Sequence, residues 1–121
     1  MTLDEFERLV RQALSEIPEA ISARLDNVDL VVEDEPTRDQ LIGSGIEDDH
    51  LLLGLYEGIP LPDRFEYSMV LPDKITLFKK SIESICSSDE EIVEEVRHTV
   101  VHEVAHHFGI DDVSLDEMGA Y

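Results

Sequence analysis

Apolar residues recur at helical spacing at Phe6, Leu9, Val10, Ala13, Leu14 and Ile17, with charged residues between them. Thr2-Leu3-Asp4-Glu5 precedes them as a capping box, so the chain is expected to open on an amphipathic helix. Pro18 stands where a second short helix can begin, running to about Leu25. Val28-Asp29-Leu30-Val31-Val32 reads as a strand, ended by the acidic run Glu33-Asp34-Glu35-Pro36. From Thr37 to His50 no clear period is present, which suits a loop or a weak turn of helix. Leu51-Leu52-Leu53-Gly54-Leu55-Tyr56 reads as a second strand, apolar on both faces and therefore expected at the centre of the sheet. The chain must then leave the sheet through Gly58-Ile59-Pro60-Leu61-Pro62, because proline removes ladder donors. Lys74-Ile75-Thr76-Leu77-Phe78 reads as a third strand, and Pro72 before it and Lys79-Lys80 after it suit an edge position.

The longest periodic stretch follows. Ser88-Asp89-Glu90-Glu91 is a second capping box, and Ile92, Val93, Val96, Val100, Val101, Val104 and Phe108 form an apolar stripe behind it. The spacing predicts a helix from about Asp89 to Phe108 that stops at Gly109, a residue suited to a left-handed terminator. Ser114-Leu115-Asp116-Glu117 is a third capping box, expected to start a last short piece ending at Tyr121. The fold class is therefore α+β: N-terminal helices, a small sheet of about three strands, and one long helix packed on the sheet.

Composition narrows the function. At 121 residues the chain is expected to be one domain, 1–121. No stretch approaches the roughly 20 apolar residues that a membrane span needs. The N-terminus is acidic, without the basic-then-apolar pattern of a signal peptide, and the one cysteine, Cys86, cannot form an intrachain disulfide. Both point to a cytoplasmic protein with no membrane association. Twenty-nine acids against nine bases give a net charge of −20, which disfavours tracking a phosphate backbone and so argues against a nucleic-acid partner. The same charge suits a monomer kept apart by repulsion, and it could attract cationic peptides or divalent metals.

One cluster carries chemistry. His102 and His106 are four apart on the long helix, so both imidazoles share one face within reach of a single zinc ion, Zn2+. Glu103 lies about 100° round from His102, placed to act on a water rather than to ligate. This is the H-E-x-x-H logic of two ligands and a general base. A catalytic zinc usually takes three protein ligands. Asp112 is the expected third, because a turn at Gly109 can fold the chain back toward the two imidazoles. Asp111, one residue earlier, and the more distant Glu117 are the rivals. Together with Gly109 and Asp112 the pattern is expected by chance on the order of once in several thousand such chains, far less often than H-E-x-x-H alone. His98 sits roughly 12 Å along the axis from His106, too far for one tetrahedral ion, and reads as a polar helix position, with a substrate contact or a group supporting a ligand as the alternatives. His107, about 100° off His106, reads as structural. The alternative to catalysis is a zinc-binding or interaction module with an acidic surface, but a structural zinc takes four protein ligands and only three good ones are evident.

The segment His102-Glu103-Val104-Ala105-His106-His107-Phe108-Gly109-Ile110-Asp111-Asp112 resembles the zincin metallopeptidases, with metzincin-like spacing and Asp where His is usual. The wider chain is similar to the small bacterial minimal-zincin, or zincin-like metallopeptidase, family. The resemblance extends through Leu51–Leu61, Leu71–Phe78, Glu95–Glu103 and the terminal Leu115–Tyr121. It implies a minimal zincin-like fold, His102, His106 and Asp112 as zinc ligands, and Glu103 as the catalytic base. It also implies hydrolysis of a peptide or protein substrate bound along an edge strand, for which Lys74–Phe78 is the expected strand. Met118 is expected in the core rather than under the metal, and Tyr67 and Tyr121 are candidate oxyanion donors.

Overall fold

The computed structural model describes residues 1–44, 51–58, 73–117 and 119. Helix α1 spans Leu3–Ser15. Its capping box is closed in both directions, with the Thr2 hydroxyl accepting from the Glu5 N–H and the Glu5 carboxylate accepting from the Thr2 N–H. The Pro18 turn leads into α2 (Glu19–Ser22) and a 3-10 turn at Ala23–Leu25. Strand β1 (Val28–Glu33) follows, then α3 (Arg38–Ser44) in the stretch where the sequence shows no period.

The sheet is completed by β2 (Gly54–Glu57) and β3 (Asp73–Phe78) in the order β1-β3-β2. Strands β1 and β3 run parallel, whereas β2 and β3 are antiparallel, with Gly54 opposite Leu77 and Tyr56 opposite Ile75. The sequence expectation for the sheet is reversed in this respect: β3 is central and β2 is the edge. The reason lies in the burial of Ile75, Thr76, Leu77 and Phe78, which is complete for all four. Ile75 and Leu77 join the main core, and Thr76 and Phe78 alternate with them toward the opposite face. Lys79-Lys80 does not mark an edge but begins a helix that the sequence did not suggest, α4 (Lys79–Ile85), where Lys79 Nζ bonds Glu83 Oε1 at 2.9 Å.

Helix α5 spans Asp89–Phe108, with Ser88 as its cap accepting from the Glu91 N–H, and it stops at Gly109 as its pattern requires. One apolar side, Val96, Val100 and Val104, packs with Phe6, Leu9 and Val10 of α1 and with Ile75 and Leu77 of β3. This core fixes the long helix against the sheet. The chain closes on α6 (Asp112–Glu117). Its cap is Asp111, whose Oδ1 accepts from the Ser114 N–H at 2.8 Å, so the helix begins two residues before the Ser114 expected from the sequence. Met118, Tyr67 and Tyr121 lie outside the described residues, as do the stretches 45–50 and 59–72. Among the described residues no helix is long and apolar enough to cross a membrane.

Strand β2 lies so close to α5 that Gly54 has no room for a side chain. A Cβ there would stand 2.6 Å from Thr99 Cγ2 and 3.3 Å from the Thr76 carbonyl oxygen. Gly54→Ala is therefore expected to destabilise the protein by ~1–3 kcal/mol through overpacking. Thermal unfolding checks this. Gly54→Ala combined with Thr99→Ala should recover part of the loss, and no recovery would place the cost elsewhere.

Candidate metal centre

The last two turns of α5 bring His102, Glu103, His106 and His107 to the end of the sheet. His102 and His106 are one turn apart, roughly 6 Å along the axis. The helix ends because Gly109 is left-handed, φ 68° and ψ 31°, a conformation that costs glycine no Cβ clash. Ile110 N–H then donates to the Ala105 carbonyl at 2.8 Å, turning the chain back across the helix end.

That reversal separates the two adjacent aspartates. Asp111 faces solvent, and the Ser114 N–H it accepts holds its carboxyl below the ordinary range. Asp112, the first residue of α6, lines a cavity of about 350 Å3 together with His102 and His106. Ala105, Ile110 and Leu115 form its apolar wall. Glu117 lies at the far end of α6 and is exposed.

On the other side of His102 a second cavity, about 550 Å3, is lined by Glu103, His106, His107, Leu55 and Tyr56. Glu103 Oε2 accepts from the Tyr56 backbone N–H at 3.3 Å, tying the carboxylate to the edge strand. Burial pushes the Glu103 carboxyl above its ordinary range, against the opposing pull of that N–H and of His102 and His106. A carboxyl with a raised pKa in a cleft is suited to receive and return a proton.

Tyr56 and His107 are partners that sequence reasoning did not join. Their rings stack with centroids 3.9 Å apart and planes 18° apart. The Tyr56 hydroxyl donates to Asp73 Oδ2 at 2.6 Å, and His107 Nε2 lies 3.9 Å from the same oxygen. The edge strand is thereby clamped to the helix residue beside His106. Only the strand pairing discloses this, since Tyr56 and His107 are 51 positions apart in sequence (107 − 56). His98 is exposed, with its ring 6.1 Å from that of His102 and nearly parallel to it.

His102, His106 and Asp112 share a cavity, yet among the described residues no three His, Cys, Asp or Glu side chains converge closely enough to hold an ion. The donor set fits zinc in kind, two imidazoles and a carboxylate, and all three residues are exposed at the rim of the shared cavity.

A small α+β domain built on a histidine-bearing helix beneath a mixed three-stranded sheet is thus the class that the fold defines. The chain belongs to the zincin-like metallopeptidase family, whose family model matches residues 25–120. Among solved structures it is similar to a conserved hypothetical protein from Thermo thermophilus, at 24% identity over 89% of this chain and 94% of that one, with a TM-score of 0.55. That likeness is one of fold. No curated protein matches the chain.

Proposed function

We propose that the protein is a zinc-dependent peptidase, with His102, His106 and Asp112 holding the metal and Glu103 acting as general base. The observation that carries this reading is the setting of Glu103: half-buried, beside both histidines, and facing a cavity whose far wall is the edge strand. Family membership supports the metallopeptidase class and its general dependence on zinc.

Zinc bound at such a site supplies Lewis acidity, which polarises a peptide carbonyl and acidifies a water. The chain's own residues do the rest. Glu103 takes a proton from the attacking water at its carboxylate and passes it to the leaving nitrogen. An extended peptide pairs along β2. Leu53 accepts from the Phe78 N–H, so by alternation Leu55 and Glu57 bond to β3 while Gly54 and Tyr56 turn outward; there Glu103 holds the Tyr56 N–H, and Gly54 presents its backbone groups to the peptide. Strand β2 takes the place of the Lys74–Phe78 segment expected from the sequence, which is bonded on both sides. The Tyr56–His107 stack keeps the cleft wall at a fixed distance from the metal helix. A peptide or protein substrate, no nucleic-acid partner and a monomeric state complete the proposal.

Metal-depleted protein should take up about one zinc per chain and cleave unstructured peptides only when loaded. A chelator should remove both properties and added zinc restore them. Metal analysis and mass spectrometry of a peptide digest decide this. Zinc uptake without cleavage would favour the non-catalytic zinc-binding module, and absence of uptake would overturn the site.

A further inference from the structure

Three cavities meet at His102, and they differ in what surrounds them. None of their described lining residues is a lysine or arginine, and three are carboxylates: Glu103, Asp112 and Glu95. The proposed chemistry uses the first two and leaves Glu95 without a role. Glu95 lines the third cavity, about 300 Å3, with His98 and Thr99 from the same side of α5 and Leu51, Leu52 and Leu53 from the segment entering β2. The Thr99 hydroxyl fixes Glu95 Oε1 with a long hydrogen bond of 3.5 Å. His102 and Glu103 line this cavity as well, so it opens directly onto the reacting centre.

We infer that the Glu95 cavity is the side-chain specificity pocket of the site, taking a lysine or arginine next to the scissile bond. This rests on the peptidase reading above. The geometry follows from the edge strand. A peptide running along β2 passes from Tyr56 to Gly54, roughly 7 Å, and so crosses from the Tyr56–His107 cavity to the Glu95 cavity with Glu103 between them. The three leucines offer apolar surface to the methylene stem of a long basic side chain, while the carboxylate meets its charged end. An acidic side chain would meet Glu95 with no lysine or arginine among the described lining residues to pair with it. The net charge of −20 draws basic peptides to the whole surface, but among the described lining residues Glu95 is the carboxylate that the proposed chemistry leaves available to read one side chain beside the scissile bond.

The test separates this pocket both from bulk charge and from turnover. Zinc-loaded Glu103→Gln protein is titrated with fluorescent peptides that differ only by Lys, Arg, Leu or Glu at one central position. The basic peptides should bind ~10-fold or more tightly than the Glu peptide. Adding Glu95→Gln should remove most of that ratio, and Glu95→Lys should invert it. Glu90→Lys changes the net charge by the same amount from an exposed position in the first turn of α5 and should leave the order intact. Equal effects of Glu90→Lys and Glu95→Lys, or no preference in the starting protein, would overturn the pocket. In parallel, wild-type cleavage sites should cluster beside Lys and Arg. Cleavage without that clustering sinks the pocket and keeps the peptidase. Basic-peptide binding that depends on Glu95, without any cleavage, sinks the peptidase and keeps the pocket.

Discussion

Replacing Glu103 by Gln should leave zinc bound and lower the rate of peptide hydrolysis by ~10²–10⁴-fold, the usual contribution of a positioned general base. The amide is close in shape to the carboxylate, and its oxygen can still accept the Tyr56 N–H, so the edge strand should stay where it is. What is lost is the ability to take a proton. A second readout uses metal-free protein and needs no turnover. Burial raises the folded-state pKa of Glu103 above its ordinary 4.5, so folding favours the protonated form. The group's contribution to stability is then fully present below the unfolded pKa and is lost as pH rises through the folded one. Metal-free Glu103→Gln should therefore melt above wild type at neutral pH, and the gap should close as the pH falls below about 4. Paired thermal melts across that range, beside metal analysis and steady-state kinetics, check all three statements. Hydrolysis that survives the substitution would assign the activity to another group.

The elements most legible in the sequence are those that a local code specifies. Helix α5 is bounded by a serine cap and a left-handed glycine, and its apolar spacing persists for 20 residues, so packing had nothing to override. Helix α1 is equally local. The sheet was legible in its strands but not in their order, because order is decided by pairing partners distant in the chain. Leu51–Tyr56 looked central for its apolar run, but Leu51 is 49% exposed and β2 itself is only the four residues Gly54–Glu57. Lys74–Phe78 looked like an edge for its polar borders, yet Thr76 is fully buried and Lys79 nearly so. Helix α4 was hidden by that same lysine, whose charge is met by Glu83 one turn on. At the site, the sequence offered His102, Glu103, His106 and Asp112 by spacing alone. Tyr56, Asp73 and Glu95 carry no spacing signal; β2 and β3 bring the first two to the cleft, and Glu95 is recognisable only from the cavity beside it.

Asp112→Ala should weaken zinc binding by ~10–100-fold or more, at least as much as loss of a residue that merely supports a ligand. Asp111→Ala should change zinc affinity far less. The two residues are adjacent and identical in chemistry, so the contrast tests geometry alone. Asp111 is committed to the Ser114 N–H at the start of α6, whereas Asp112 lines the cavity with both histidines. Asp111→Ala should act instead through α6: that helix loses its cap and frays, which lowers thermal stability with only an indirect effect on the metal. Zinc titration with a competing chelator, read beside thermal melts, separates the two effects, since one variant should lose affinity and the other stability. Gly109→Val supplies an independent arm. Its φ of 68° is strained for a β-branched residue, and among the described residues no atom crowds a Cβ there, so the substitution perturbs the turn rather than the packing. It should lose zinc affinity as Asp112→Ala does, because a misdirected turn carries Asp112 away from His102 and His106. Should Asp111→Ala prove the damaging variant and Asp112→Ala the neutral one, the ligand register is wrong. Should neither matter, the third ligand lies further along α6, where Glu117 is the next carboxylate to replace.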